Sequence, residues 1–229
     1  MSVKNGILAS MCLASSGIVL IVVLGFVFGL LPDGPDRFAP LMTVIATLGL
    51  ALLVGIIINW LGDTDIRLFI ISELEMGDHI NWTTLTAFVI GGLVLSVSIS
   101  TAMVVIVSAL GADFLVPKIE YTNLIFKGEF IFLSILALAV VVPISEEIFF
   151  RSFLSRNFVR LGTGMNIALS ALIFAFFHAG QLEIIVISST FFTGMILGYV
   201  YHKAKSVTPC ILIHGAQNLL VICFTILMN

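Results

Sequence analysis

A chain of 229 residues that is 60% hydrophobic and only 10% charged falls outside the range of soluble domains, which carry about 25% charged residues. Its mean hydropathy of +1.22 and its short polar connectors leave no room for a separate soluble domain. The net charge of -3 comes with no basic cluster, which excludes a nucleic-acid partner held through its phosphates.

A spanning helix needs about 20 mostly apolar residues to cross a hydrocarbon core about 30 Å thick. Seven segments meet or approach that length: 6–31, 38–61, 83–110, 129–153, 166–178, 182–201 and 208–228. The expected fold is therefore all-α, a polytopic bundle of about seven to eight transmembrane helices forming one integral membrane domain over residues 1–229. The first segment is too long for a signal-peptide core and reads as a transmembrane helix. Pro32-Asp33-Gly34-Pro35-Asp36 marks a turn after it. The acidic stretch 62–82, with its apolar interruptions, reads as an interfacial helix.

Ser96, Ser98, Ser100, Thr101 and Ser108 in the third segment let helices approach closely, as does Gly194-x-x-x-Gly198 in the sixth. The Gly pair fits a dimer contact and intramolecular packing equally well. The connector 112–128 carries Pro117 and reads as a surface loop. The fifth segment has only about 13 residues; it either ends at mid-membrane against protein or runs on with a kink into the next helix. Cys12, Cys210 and Cys223 lie in apolar runs without C-x-x-C spacing and read as small core residues. His79, Glu183 and His202 fall near predicted interfaces and read as solvated.

A cytoplasmic N-terminus places Lys4, Arg67, Arg156, Arg160, Lys203 and Lys205 inside, against Arg37, Lys118 and Lys127 outside. The positive-inside rule therefore favours that orientation. Short connectors and the lack of targeting signals fit a prokaryotic plasma membrane.

Charge at the centre of a bilayer costs on the order of 2.5–3.5 kcal/mol per residue. Against that cost, the run Pro143-Ile144-Ser145-Glu146-Glu147-Ile148-Phe149-Phe150-Arg151 stands out. Polar residues recur at His178 and at His214-Gly215-Ala216-Gln217-Asn218. Glu147 and Arg151 are four apart, in the favourable acid-before-base order, and read as a structural ion pair. Glu146 is rotated by about 100° from Glu147 and is the carboxylate left for chemistry. His214 and Asn218 project from one face of the last helix. At 1.5 Å per residue, Glu146 lies about 16 Å from Asn157, His178 about 20 Å from Met165, and His214 and Asn218 about 12 and 18 Å from Ser206. Three helices thus carry polar residues to similar depth, implying one shared polar cavity. Pro143 removes a backbone donor just before Glu146, and a kink is expected there.

At these residues the sequence resembles the CPBP family, which includes CAAX prenyl proteases and bacteriocin-processing homologues. Glu146-Glu147-x-x-x-Arg151, Phe174-x-x-x-His178 and His214-x-x-x-Asn218 follow its pattern in order, which makes 129–229 a motif-bearing catalytic core. The resemblance implies an intramembrane endopeptidase acting on a peptide, a prenylated substrate or a membrane protein. It implies Glu146, helped by His178, as the pair that activates water, and His214 with Asn218 as the oxyanion-stabilising pair. Glu147 and Arg151 support them.

Two histidines and a glutamate are also the ligand types of a catalytic zinc site, which would use Glu146, His178 and His214. Zincin spacing is absent, so no metal or other cofactor is favoured. Two other classes stay open: a non-catalytic membrane scaffold that binds a partner, and a transporter with a carboxylate–histidine proton relay. A transporter of that kind is expected to show two related halves, and no such symmetry is seen.

Overall fold

The computed structural model describes residues 3–29, 34–62, 65–76, 80–112, 131–178 and 184–227. Among them there is no strand. A backbone in hydrocarbon must satisfy its own hydrogen bonds, and for these sequences helices are the available solution. In chain order the helices are α1 (Val3–Gly29), α2 (Gly34–Gly62), α3 (Ile66–Leu74), α4 (Trp82–Ala109), α5 (Ile131–Leu161), α6 (Thr163–Phe177), α7 (Ile184–Ala204) and α8 (Thr208–Leu227). Five stretches are long and apolar enough to cross a membrane: Leu41–Leu61, α4, α5, α7 and α8. The protein is an integral membrane protein. His79, Glu183, residues 113–128 of the predicted connector and residues 129–130 of the predicted fourth segment lie outside the described residues.

Three boundaries differ from expectation. Gly34, Pro35 and Asp36 open α2 instead of standing apart as a turn, because proline is tolerated in the first turn of a helix, where its missing N–H has no partner to lose. The fourth segment runs on to Leu161, since the arginines at 156 and 160 lie at its end and do not break it. The fifth is a helix of 15 residues, too short to span, and it stops beside the other helices.

Local capping starts two of these helices. The Asp65 carboxylate accepts from the N–H groups of Arg67 and Leu68 at the head of α3. Asn81 accepts from Thr84 N–H at the head of α4, at 2.8 Å. Such caps satisfy donors that the first turn leaves free.

Helix α5 is the centre of the bundle and touches α2, α6 and α8. It is not uniform. Ala137–Val141 and Ile148–Leu154 are π-helical, and Val142–Glu147 between them is α-helical. The turn before Pro143 is thus widened, one of the recognised ways of absorbing an interruption in the ladder. All seven residues of the second π segment are buried. Phe149, Phe150, Phe153, Leu154 and Phe158 form the largest apolar cluster with Phe174, Ile58 and Phe69.

Small residues bring α6 and α7 together. A Cβ on Gly194 would meet the Cα and Cβ of Ala171 at 3.0 Å, and one on Gly198 would meet Ile167 at 3.0 Å. The Gly194-x-x-x-Gly198 pair is thus an intramolecular packing seam. Ser96 of α4 is buried, and its hydroxyl bonds Thr193 of α7 and Gln217 of α8, each at 2.8 Å. These bonds tie three helices together at the level of the polar residues.

Candidate active site

Glu147 is fully buried, and its two oxygens have different partners. Arg151 Nε donates to Oε2 at 2.8 Å, and His214 Nδ1 lies 2.9 Å from Oε1. The predicted ion pair is present, and the same carboxylate also holds the imidazole of α8. Arg151 is itself fully buried. Its guanidinium lies 4.7 Å from the centre of the Phe174 ring and its Nη1 is 3.4 Å from Ser170 Oγ. Ser170 in turn donates to the Phe150 carbonyl. Arg151 Nη2 stays buried without a partner among the described residues, so these bonds satisfy the buried pair only in part.

With Nδ1 engaged by Glu147, the His214 ring turns Nε2 toward Glu146, 3.9 Å from Oε2. That oxygen is buried and has no hydrogen-bond partner among the described residues. Adjacent carboxylates on one helix thus take opposite roles through rotation alone. One is saturated inside the protein, and the other presents an unpaired oxygen beside an imidazole.

His178 closes α6. Its Nδ1 is 3.0 Å from the Phe174 carbonyl, an acceptor only, so Nδ1 carries the hydrogen and the neutral ring keeps Nε2 as its basic nitrogen. His178 makes no hydrogen bond or ion pair to Glu146 among the described residues. It reaches the cluster through Phe174, whose ring lies 4.8 Å from the His178 ring and 5.8 Å from the His214 ring, edge-on to both.

Asn218 sits one turn beyond His214, and its Nδ2 donates to the Leu138 carbonyl at 2.8 Å. That carbonyl is free for a local reason. The Val142 N–H bonds Ala137, five residues back, and Pro143 has no N–H to offer Leu138. Asn218 fills the vacancy in the ladder. Gly215, on the same helix, lets α8 come close at this point, since a Cβ there would lie 2.6 Å from the Ala139 oxygen.

The structure therefore brings Glu146, Glu147, Arg151 and His214 into direct contact, places Asn218 on the widened turn of α5, and joins His178 through an aromatic ring. Among the described residues no three His, Cys, Asp or Glu side chains converge closely enough to hold a metal ion. Glu146, His178 and His214 do not form a ready ligand triad.

The sequence alone assigns no role to Gly215, Ser170 or the Leu138 carbonyl. Of these only Gly215 left a signal, as a glycine beside a motif histidine. Sequence alone also misses a second polar centre at the end of the bundle where α3, α5 and α7 meet. There Glu73 is only 2% exposed, pairs with Arg156, and accepts from Tyr201 Oη at 3.0 Å. A glutamate near the end of a short, mostly apolar helix was the available clue.

No curated protein and no solved structure matches the chain. Residues 128–220 match a family model described as Rce1-like, type II CAAX prenyl endopeptidase Rce1-like. That span contains Glu146, Glu147, Arg151, His178, His214 and Asn218. The segment that carries the site is thus similar to the Rce1-like CAAX prenyl endopeptidases, in keeping with its three motifs.

Proposed function

We propose that this protein is an intramembrane endopeptidase that hydrolyses a peptide bond with a water activated by Glu146. The observation that carries this reading is the unpaired Glu146 oxygen 3.9 Å from His214 Nε2. Amide hydrolysis needs a base for water and donors for the oxyanion that develops on the carbonyl. Glu146 takes a proton from water, assisted by the basic Nε2 of His178, and the hydroxide adds to the scissile carbonyl. The oxyanion is met by the second N–H of Asn218 and by His214 Nε2. His214 donates only when its ring carries both protons, and Glu147 is the carboxylate that balances that charge. Glu146 then returns its proton to the leaving amine.

No metal takes part in this mechanism. Zinc would need Glu146, His178 and His214 together, and among the described residues these three do not converge as a ligand set. The substrate class follows the family: a peptide whose cleavage point lies at the membrane, with or without a prenyl group. The N-terminus faces the cytoplasm, as the distribution of Lys and Arg favours.

The test is cleavage of a fluorogenic prenylated peptide and an unprenylated control by purified protein, wild type beside Glu146→Ala, with and without a zinc chelator. Cleavage abolished by Glu146→Ala but indifferent to chelation is the expected result. Cleavage lost on chelation and restored by zinc would overturn the metal-free mechanism. A Glu146→Ala protein that keeps its full biological effect would favour the scaffold reading.

A further inference from the structure

A cavity of about 300 Å³ lies at the end of the bundle between α3, α5, α6 and α7, well removed along α5 from Glu146. It is lined by Glu73, Arg156, Thr163, Asn166, His202 and Lys205 among others. Its position is interfacial. Arg156 lies near the end of α5, Lys205 just after α7, and Thr163 at the start of α6.

The charges in this cavity are of both signs and are spatially sorted. Glu73 is deeply buried and holds Arg156 on one oxygen and Tyr201 on the other. The Arg156 side chain is 46% exposed, so part of its guanidinium edge faces outward. Lys205 is exposed, with Nζ 3.5 Å from His202 Nδ1. Asn166 donates through Nδ2 to the Ser155 carbonyl at 2.9 Å, and its Oδ1 is buried without a partner among the described residues. The opening of α6 adds to the cationic side. Gly162 gives it no side-chain cap, and Thr163 at its first position lines the cavity.

Lys205 carries a further signal. At φ 55 it is the one non-glycine residue with positive φ among those described, and its N–H closes α7 on the Tyr201 carbonyl. Glycine fills that left-handed position after a helix with less strain. A lysine kept there at a conformational cost points to a task for its side chain.

We propose that this cavity binds a phosphoethanolamine group, as the headgroup of a phospholipid. The phosphate lies against Lys205 and the outer edge of Arg156. The ammonium lies toward Asn166, whose amide turns to bring Oδ1 to the cavity wall, with the Glu73 carboxylate nearby. A purely anionic headgroup would leave Asn166 Oδ1 without a donor, and a choline headgroup has no N–H to give it. The same chemistry is offered by soluble O-phosphoethanolamine, and the experiment separates the two sources.

Purified protein is reconstituted in nanodiscs of phosphatidylcholine alone, or with added phosphatidylethanolamine or phosphatidylglycerol. Retained lipid is read by native mass spectrometry and the unfolding temperature is recorded. Wild type is expected to retain phosphatidylethanolamine over either other lipid by about tenfold, the worth of one charge-assisted hydrogen bond, and to unfold at higher temperature in its presence. Lys205→Gly relieves the strained φ, so it keeps the fold in phosphatidylcholine, and is expected to retain several-fold less phosphatidylethanolamine because the phosphate loses a cation. Equal retention of all three lipids, stronger retention of phosphatidylglycerol, or retention of phosphatidylethanolamine unchanged in Lys205→Gly would each overturn the proposal. O-phosphoethanolamine added to phosphatidylcholine discs is expected to stabilise weakly. Stabilisation as strong as that given by the lipid would overturn the assignment to a membrane headgroup.

Discussion

Asn218 donates to the Leu138 carbonyl at 2.8 Å across two helices, and Pro143 is the reason that carbonyl is available. In an unbroken ladder, residue 142 or 143 would satisfy it. Here the N–H of Val142 goes to Ala137, and residue 143 has none. A break three residues before Glu146 thus fixes the orientation of an amide on the facing helix. The arrangement couples the backbone of the Glu146 helix to the helix that carries His214.

Asn218→Ala removes the donor and leaves a partly buried carbonyl unsatisfied, an effect of about 1–3 kcal/mol. A lower unfolding temperature in detergent is expected, together with loss of peptide cleavage. Pro143→Ala acts differently, because it supplies an N–H that competes with Asn218 for the α5 carbonyls. It is expected to leave the unfolding temperature nearly unchanged while kcat falls and KM holds. A Pro143→Ala enzyme with wild-type kcat would show that the orientation of Asn218 does not matter to the chemistry.

Two glycines give a matched pair. A Cβ on Gly215 meets a backbone oxygen at 2.6 Å, whereas one on Gly91 meets nothing within 4 Å. Backbone cannot rotate aside as a side chain can, so Gly215→Ala forces α8 away from α5 at an overpacking cost of about 1–3 kcal/mol. Gly91→Ala gains about 1 kcal/mol of helix propensity. Thermal unfolding of both variants is expected to move in opposite directions, with cleavage activity lost only for Gly215→Ala.

How much of this was legible follows from what a helical period records. Glu147 and Arg151 at four residues' spacing announced their pair, and the same geometry singled out Glu146 as the carboxylate without a partner on its own helix. Depth counting brought His178, His214 and Asn218 to one level. Contacts between helices left no such trace. Nothing in the spacing says that the Glu147 oxygen not used by Arg151 holds His214, or that Phe174 stands against both histidines. The π segments of α5 were illegible for a related reason. Pro143 marks an interruption, but how the chain absorbs it depends on what packs against it, here Gly215 and Asn218 of α8. The Glu73 centre was hidden because its partners Arg156 and Tyr201 lie 83 and 128 residues away.

The double role of Glu147 can be separated from simple ion pairing. Arg151→Met leaves a buried carboxylate without its counter-charge, at about 3–5 kcal/mol, and is expected to lower the yield of folded protein sharply. Replacing both partners with apolar residues, Glu147→Leu with Arg151→Met, removes the uncompensated charge and is expected to restore much of the stability. Activity is expected to stay absent, since His214 loses the group that holds Nδ1. Recovery of cleavage in the double variant would reduce Glu147 to a structural counter-ion.

The last prediction concerns α3, which α5 and α7 hold through the Glu73 side chain and residues 206–208 hold through the α3 carbonyls. Glu73 takes the contacts from Arg156 and Tyr201, while its own carbonyl accepts from Val207 N–H at 2.9 Å and Ser206 Oγ at 3.1 Å. The Leu74 carbonyl accepts from Thr208 Oγ1 at 2.8 Å. Tyr201→Phe removes one hydrogen bond of this set and is expected to cost about 1 kcal/mol. Glu73→Ala removes the acceptor of two and leaves Arg156 without its carboxylate, so a larger loss is expected. Because the bonds from Ser206, Val207 and Thr208 to the α3 carbonyls persist in both variants, the helix should loosen without leaving the bundle. Hydrogen exchange over residues 65–76 is the measurement that reads this, with faster exchange expected in the order wild type, Tyr201→Phe, Glu73→Ala. Equal exchange in all three would mean that the backbone contacts alone hold α3, and that the buried glutamate serves the cavity beside it and not the fold.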